Sequence, residues 1–107
     1  MSDVPRLAAI ATAVPPYAID QDAVARRAQP HYEGLGVADL DHMLPVFANS
    51  GIERRYSCVP MEWYEEPRGW TDRNSLYLEH AASLLERAAR DALDRAGLTP
   101  RDIDAMV

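Results

Sequence analysis

Cys58 is the only thiol of the sequence. A thiol becomes a nucleophile where a helix N-terminus or a neighbouring base stabilises its thiolate. Cys58 instead sits in the alternating stretch Ile52–Val59, between Ser57 and Val59, which predicts a structural cysteine filling space. His31, His42 and His80 share no helical face with one another or with Cys58, so they read as ordinary histidines rather than a proton relay. Glu62, Glu65 and Glu66 offer carboxylates for acid/base work, but Glu65 and Glu66 are adjacent and point apart in extended chain, which favours a solvated loop. Arg54 and Arg55, with Arg68 and Arg73 downstream, suit either of two roles: clamping an anion such as a phosphate, or pairing with the surplus of acids. Trp63, Tyr64 and Trp70 either line a pocket or pack their own loop. One Cys and three scattered His give no zinc spacing, so no metal site is expected. Glycine-rich phosphate loops and nucleophile-elbow motifs do not occur.

Chemistry on such sparse groups depends on the frame that carries them. With 107 residues, 48% of them hydrophobic, the chain has the length of one domain and the apolar content of a globular one. Eleven basic against seventeen acidic residues leave a net charge of −6, which repels phosphate backbones and anionic membranes and argues against nucleic-acid binding. All eleven basic residues are arginine. Met1–Arg6 carries an acid and a proline, and Leu7–Val14 is too short for a signal-peptide core. No apolar run approaches the roughly 20 residues of a membrane span. With a single cysteine, these features point to a reducing cytoplasm.

Arg6–Val14, small and apolar with β-branched Ile10, Thr12 and Val14, predicts a buried strand closed by Pro15-Pro16. Asp20 is placed to cap a helix from Gln21 to about Ala28, stopped by Pro30, with a loop over His31–Val37. A second helix is expected from Ala38 or Asp39 to about Ala48, with Leu40, Met43, Leu44 and Phe47 on one face and Pro45 kinking or shortening it. Asn49-Ser50-Gly51 predicts a turn, Ile52–Val59 an extended segment, and Pro60–Trp70 an ordered loop packed by its own aromatics. From a Thr71 cap to Gly97 runs an amphipathic helix whose apolar positions include Leu78, Ala81, Ala82, Leu85, Ala88, Ala89, Ala92, Leu93 and Ala96. Thr99-Pro100 starts one further helical turn. Ile103–Val107 then opens a strand that stops at its start, so the sequence reads as truncated at Val107. The fold class is α/β.

Four stretches carry a family resemblance: Asn49-Ser50-Gly51-Ile52-Glu53-Arg54-Arg55-Tyr56, Glu62-Trp63-Tyr64, Arg73-Asn74-Ser75-Leu76-Tyr77, and Ala96-Gly97-Leu98-Thr99-Pro100 with Asp102-Ile103-Asp104. In this order the chain resembles the N-terminal part of bacterial type III polyketide synthases, the chalcone and stilbene synthase-like enzymes. The resemblance implies that residues 1–107 are an incomplete, N-terminal portion of a thiolase-like fold, a mixed sheet layered with helices. It implies decarboxylative condensation of malonyl-CoA units onto an acyl-CoA starter, with no covalently bound cofactor. The family's catalytic Cys, His and Asn fall beyond Val107, so none is expected here, and Cys58 is not the family's nucleophile. The isolated segment is then inactive, working with the rest of the synthase chain and as a homodimer when complete. In the family, basic residues of the helix before Ser50-Gly51-Ile52 reach the CoA phosphates. Here that helix carries His42, Pro45 and Asn49 and no Arg or Lys, which leaves Asn49 as the candidate CoA-binding residue. Ser-Gly-Ile-x-x-Arg and Ala-Gly-Leu also occur in ketoacyl-ACP synthase III-type enzymes, one alternative. A stand-alone αβ interaction module is another.

Overall fold

A computed structural model describes residues 4–107. Met1–Asp3, which entered the argument against a signal peptide, lie outside them. The chain is mixed α/β and divides into two compact units, one of Pro15–Glu66 and one that joins the chain up to Val14 to Pro67–Val107.

The first unit is built on a two-stranded antiparallel ribbon, β1 (Tyr17–Asp20) with β2 (Arg54–Ser57), in the register Tyr17↔Ser57 to Asp20↔Arg54. The extended character expected of Ile52–Val59 is found in β2. β1 was not expected. Tyr17 and Ile19 favour a pleated surface, and Pro15-Pro16, unable to donate to a ladder, delay the strand to Tyr17. The amide of Gln21 donates to Glu53 O at 2.9 Å and carries the ladder one step past the last pair.

Helix α1 (Gln21–Gly34) starts after Asp20 as foreseen, but the Asp20 side chain makes no capping bond. Its carboxylate lies 3.7 Å from Arg54 Nε across the ribbon. Pro30 does not stop α1, and His31–Gly34 are helical rather than loop. Proline removes one hydrogen bond, the one to Arg26 O, and an exposed helix face lets water take its place. The true stop is Gly36 at φ +71°. Gly36 N donates to Glu33 O at 3.0 Å and Val37 N to Tyr32 O at 3.1 Å, the paired bonds of a left-handed helix end.

The single kinked helix foreseen for residues 38–48 is instead two short ones, α2 (Leu40–Met43) and α3 (Val46–Asn49). Pro45, which cannot donate a backbone bond, separates them. Leu40, Leu44 and Phe47 are half-buried, whereas Met43, assigned to the same face, is exposed. Both short helices pack on α1. Pro60–Glu66 is ordered as anticipated, with a 3-10 turn, Met61–Glu65. Trp63 and Tyr64 meet edge to face at 5.2 Å, Tyr64 Oη lies 3.1 Å from Ser57 Oγ, and Glu65 forms an ion pair with Arg27.

The second unit is organised by α4 (Trp70–Ala96), whose 27 residues extend about 40 Å. It begins before the expected Thr71 cap because Gly69 takes the capping position and its carbonyl accepts from Arg73 N at 3.3 Å. It ends as foreseen: Gly97 is left-handed, Gly97 N donates to Asp94 O at 3.1 Å and Leu98 N to Leu93 O at 2.9 Å. The half-buried stripe runs through Leu76, His80, Ala81, Leu84, Ala88, Ala92 and Ala96. Leu78 and Leu85, assigned to the covered face, are 60% and 71% exposed. The helix is apolar on more than one side, so periodicity alone could not say which side is covered.

The segment before Pro15 is not the buried strand that its composition suggested. It has no ladder partner among the described residues, and Leu7 and Ile10 are exposed. Ala9, Ala11 and Ala13 are half-buried while Ile10, Thr12 and Val14 are exposed, the period of two of extended chain. Arg87 donates to Val14 O at 3.0 Å and Arg95 to Ile10 O at 3.1 Å. Between these anchors the helix rises about 12 Å and four extended residues span about 13 Å, so the segment runs antiparallel along α4. Side-chain guanidinium groups, not a neighbouring strand, hold those two carbonyls. The expected strand at Ile103–Val107 is likewise absent, because a strand is defined by pairing and these exposed residues have no ladder partner among those described.

Candidate functional site

The polar centre of the first unit is Gln21, 4% exposed at the first position of α1. Its Oε1 accepts from Arg55 Nε at 2.7 Å. Its Nε2 donates to Phe47 O at 3.1 Å and to Ser50 Oγ at 3.4 Å. Ser50 Oγ also donates to Phe47 O at 3.1 Å and accepts from Ile52 N at 3.3 Å. The amide can sit only one way round, because a guanidinium only donates and a carbonyl only accepts. One side chain thus ties α1, the end of α3 and β2. Sequence reasoning missed it. The available signal was a polar residue on the stripe of Gln21, Val24, Ala25 and Ala28, where the helix is otherwise apolar.

Asn49 is the last residue of α3 and is exposed; its backbone N–H bonds Pro45 O at 3.0 Å. His42 lies in the last turn of α2 and is exposed too. Beside α3 lies an open cleft of about 500 Å³ lined by Asp20, Gln21, Asp22, Arg26, Phe47, Ala48, Ile52 and Glu53. Three carboxylates against one guanidinium make that cleft unfavourable for a phosphate. Asn49 is not among its lining residues and presents a neutral amide to solvent.

The arginines do not form the clamp considered above. Arg54 pairs with Asp20 and Arg55 with Gln21, and adjacent strand residues point to opposite faces. Arg73 Nε donates to Arg68 O at 3.3 Å within the other unit. Glu65 is committed to Arg27, and Glu62 is exposed on the same 3-10 turn. Trp70 heads α4 with 79% of its surface exposed. His31 stacks edge-on against Tyr32 at 5.4 Å, and His80 lies on the covered stripe of α4. Cys58 is a free, half-buried thiol in the bend after β2, next to the buried Val59. Among the described residues no three His, Cys, Asp or Glu converge as metal ligands. No helix among them is long and apolar enough to cross a membrane. Asp102 is the titrating group held below its ordinary range: Thr99 N–H donates to Asp102 Oδ2 at 2.8 Å and the Thr99 hydroxyl at 2.9 Å, favouring the carboxylate.

These features define a mixed α/β chain whose first unit gathers its buried polar bonds around Gln21 and α3. Three curated relatives are similar to the chain in sequence. The chain is 30% identical over 84 residues to a "Putative chalcone synthase" of Bacillus subtilis (strain 168). It is 31% identical over 101 residues to the 1,3,6,8-tetrahydroxynaphthalene synthase of Streptomyces peucetius subsp. caesius. With the enzyme of that name from Streptomyces coelicolor (strain ATCC BAA-471 / A3(2) / M145), it shares 32% over 84 residues. The matches cover 78%, 94% and 78% of this chain and 23%, 26% and 21% of the relatives. The chain is therefore similar, over most of its length, to chalcone synthase-like type III polyketide synthases, and it spans about a quarter of the length of the relatives it matches. No family model and no solved structure matches it.

Proposed function

We propose that this chain is the N-terminal segment of a type III polyketide synthase, a portion of a thiolase-like layered fold that condenses malonyl-CoA onto an acyl-CoA starter. The observation that carries this reading is the similarity to chalcone synthase-type and tetrahydroxynaphthalene synthases, which reaches 94% of the chain. Residues 1–107 act as scaffold. They supply α4 and the α2–α3 turn, while the nucleophile and carbonyl-polarising residues come from chain that follows. Asn49, exposed at the end of α3, contacts CoA through its amide. With no Arg or Lys on the α2–α3 segment, Asn49 gives the CoA phosphates a hydrogen bond rather than a fixed charge. The complete enzyme works as a cytoplasmic homodimer.

The test is to incubate the full gene product with malonyl-CoA and a set of acyl-CoA starters, and to follow CO₂ and free CoA thiol. Release of both by the full product, with an inert 107-residue segment, is the expected result. Condensation by the segment alone would overturn the scaffold role. A requirement for acyl carrier protein in place of malonyl-CoA would assign the chain to ketoacyl-ACP synthase III-type enzymes instead.

A further inference from the structure

We infer that Gln21 is a positioning residue for the α3 turn, holding Asn49 in register with β2; its link to CoA rests on the function proposed above. Helix α3 has four residues, and a helix of one turn has too few internal bonds to fix its own orientation. What orients it must come from outside. Gln21 reaches Phe47 O in α3 and Ser50 Oγ just after it, which bracket Asn49 in the chain, and reaches Arg55 of β2 and, through its own backbone amide, the O of Glu53 just before β2. Phe47 O receives Gln21 Nε2 and the Ser50 hydroxyl, so both its lone pairs are used. A rotation of α3 would break these bonds and leave the amide of Gln21, a residue only 4% exposed, without its partners.

The chemistry requires an amide. A carboxylate of the same shape keeps the acceptor that faces Arg55 but sets an oxygen where Nε2 now donates. Two acceptors would then face each other at the distance of Phe47 O with no proton between them. Gln21→Glu therefore keeps the bond to β2 and cuts the bond to α3, which separates positioning from folding.

The experiment uses the full gene product and reads hydrogen exchange and kinetics together. In Q21E, the backbone amides of Asn49 and Ser50, bonded to Pro45 O and Val46 O, are expected to exchange about tenfold faster, with the thermal midpoint close to that of the parent. KM for malonyl-CoA is expected to rise about tenfold, the scale of one lost buried hydrogen bond, with kcat within about twofold. The double variant Q21E/N49A should bind malonyl-CoA no worse than N49A alone, because both changes remove the same contact. Unchanged exchange at Asn49 and Ser50 in folded Q21E would overturn the positioning role whatever the kinetics. N49A with unchanged KM would overturn the contact between Asn49 and CoA, and exchange would still decide on Gln21. If Q21E unfolds, Gln21→Met, which removes the donor to Phe47 O and Ser50 Oγ without setting two acceptors face to face, serves in its place. Exchange at Asn49 as slow as in the parent would then overturn the proposal.

Discussion

Replacing Pro30 by alanine should stabilise the first unit, and the structure gives the size of the effect. Pro30 lies inside α1, with helix continuing to Gly34. A proline in a helix interior costs about 3 kcal/mol relative to alanine, from the missing bond to Arg26 O and the clash of its ring with the preceding turn. Pro30 is exposed, so alanine forfeits little packing. Against this, proline stiffens the unfolded chain, and losing that restraint returns roughly 0.4–1 kcal/mol to the unfolded state. The difference is a gain of about 2 kcal/mol. With a urea slope of about 1–3 kcal/mol per molar, the midpoint moves up by on the order of 1 M. Urea unfolding of parent and P30A, followed by far-ultraviolet circular dichroism, measures it, with hydrogen exchange at Tyr32 and Glu33 as a local check. The Gly36 end should be unchanged, since its bonds to Tyr32 O and Glu33 O do not involve residue 30. An equal or lower midpoint for P30A would refute the reasoning. It would mean that proline is accommodated here with neither of its usual penalties.

Gly97→Ala should destabilise the second unit by about 1–2 kcal/mol. Gly97 has φ +69° and a side chain there meets nothing within 4 Å, so the cost is backbone strain alone; thermal unfolding of the variant reads it. An NMR titration should place the Asp102 carboxyl below its ordinary 3.8. Because its pKa is depressed by folding, its contribution to stability is present above that ordinary value and is lost as pH falls through the lower folded one; Asp102→Asn should abolish this dependence. Cys58→Ser in the full gene product should leave turnover largely intact, since Cys58 lies in a bend beside Val59 and not at a helix start. Loss of acyl-enzyme formation by a folded C58S protein would contradict that assignment.

What proved legible in the sequence was governed by local chemistry. Gly97 ended α4 where its left-handed conformation was anticipated, and Pro45 divided the helix it was expected to limit. Thr99-Pro100 began a single 3-10 turn closed by Asp102. Gly36 was the better stop signal than Pro30, because a proline deletes one bond whereas a left-handed glycine redirects the chain. Strands were less legible. Tyr17–Asp20 gained one from its partner at Arg54–Ser57, while the more strand-like Arg6–Val14 has no ladder and gives its carbonyls to Arg87 and Arg95. Of the candidate site residues, Asn49 is exposed at the last position of α3, whereas the arginine cluster dissolved into separate pairs.

The sequence by itself determined the left-handed end of α4 at Gly97, the break at Pro45, the acidic charge and the resemblance to type III polyketide synthases, because each depends on residue identities rather than on distant contacts. Only the tertiary structure decided which strand pairs with which, which face of α4 is covered and that Gln21 holds α3. Each of those depends on groups 26 to 85 residues apart, from the bond between Gln21 and Phe47 to that between Arg95 and Ile10. No local pattern records whether a polar residue on an apolar stripe will find its partners at such distances; only the folded chain brings a guanidinium, a carbonyl and a hydroxyl around one buried amide.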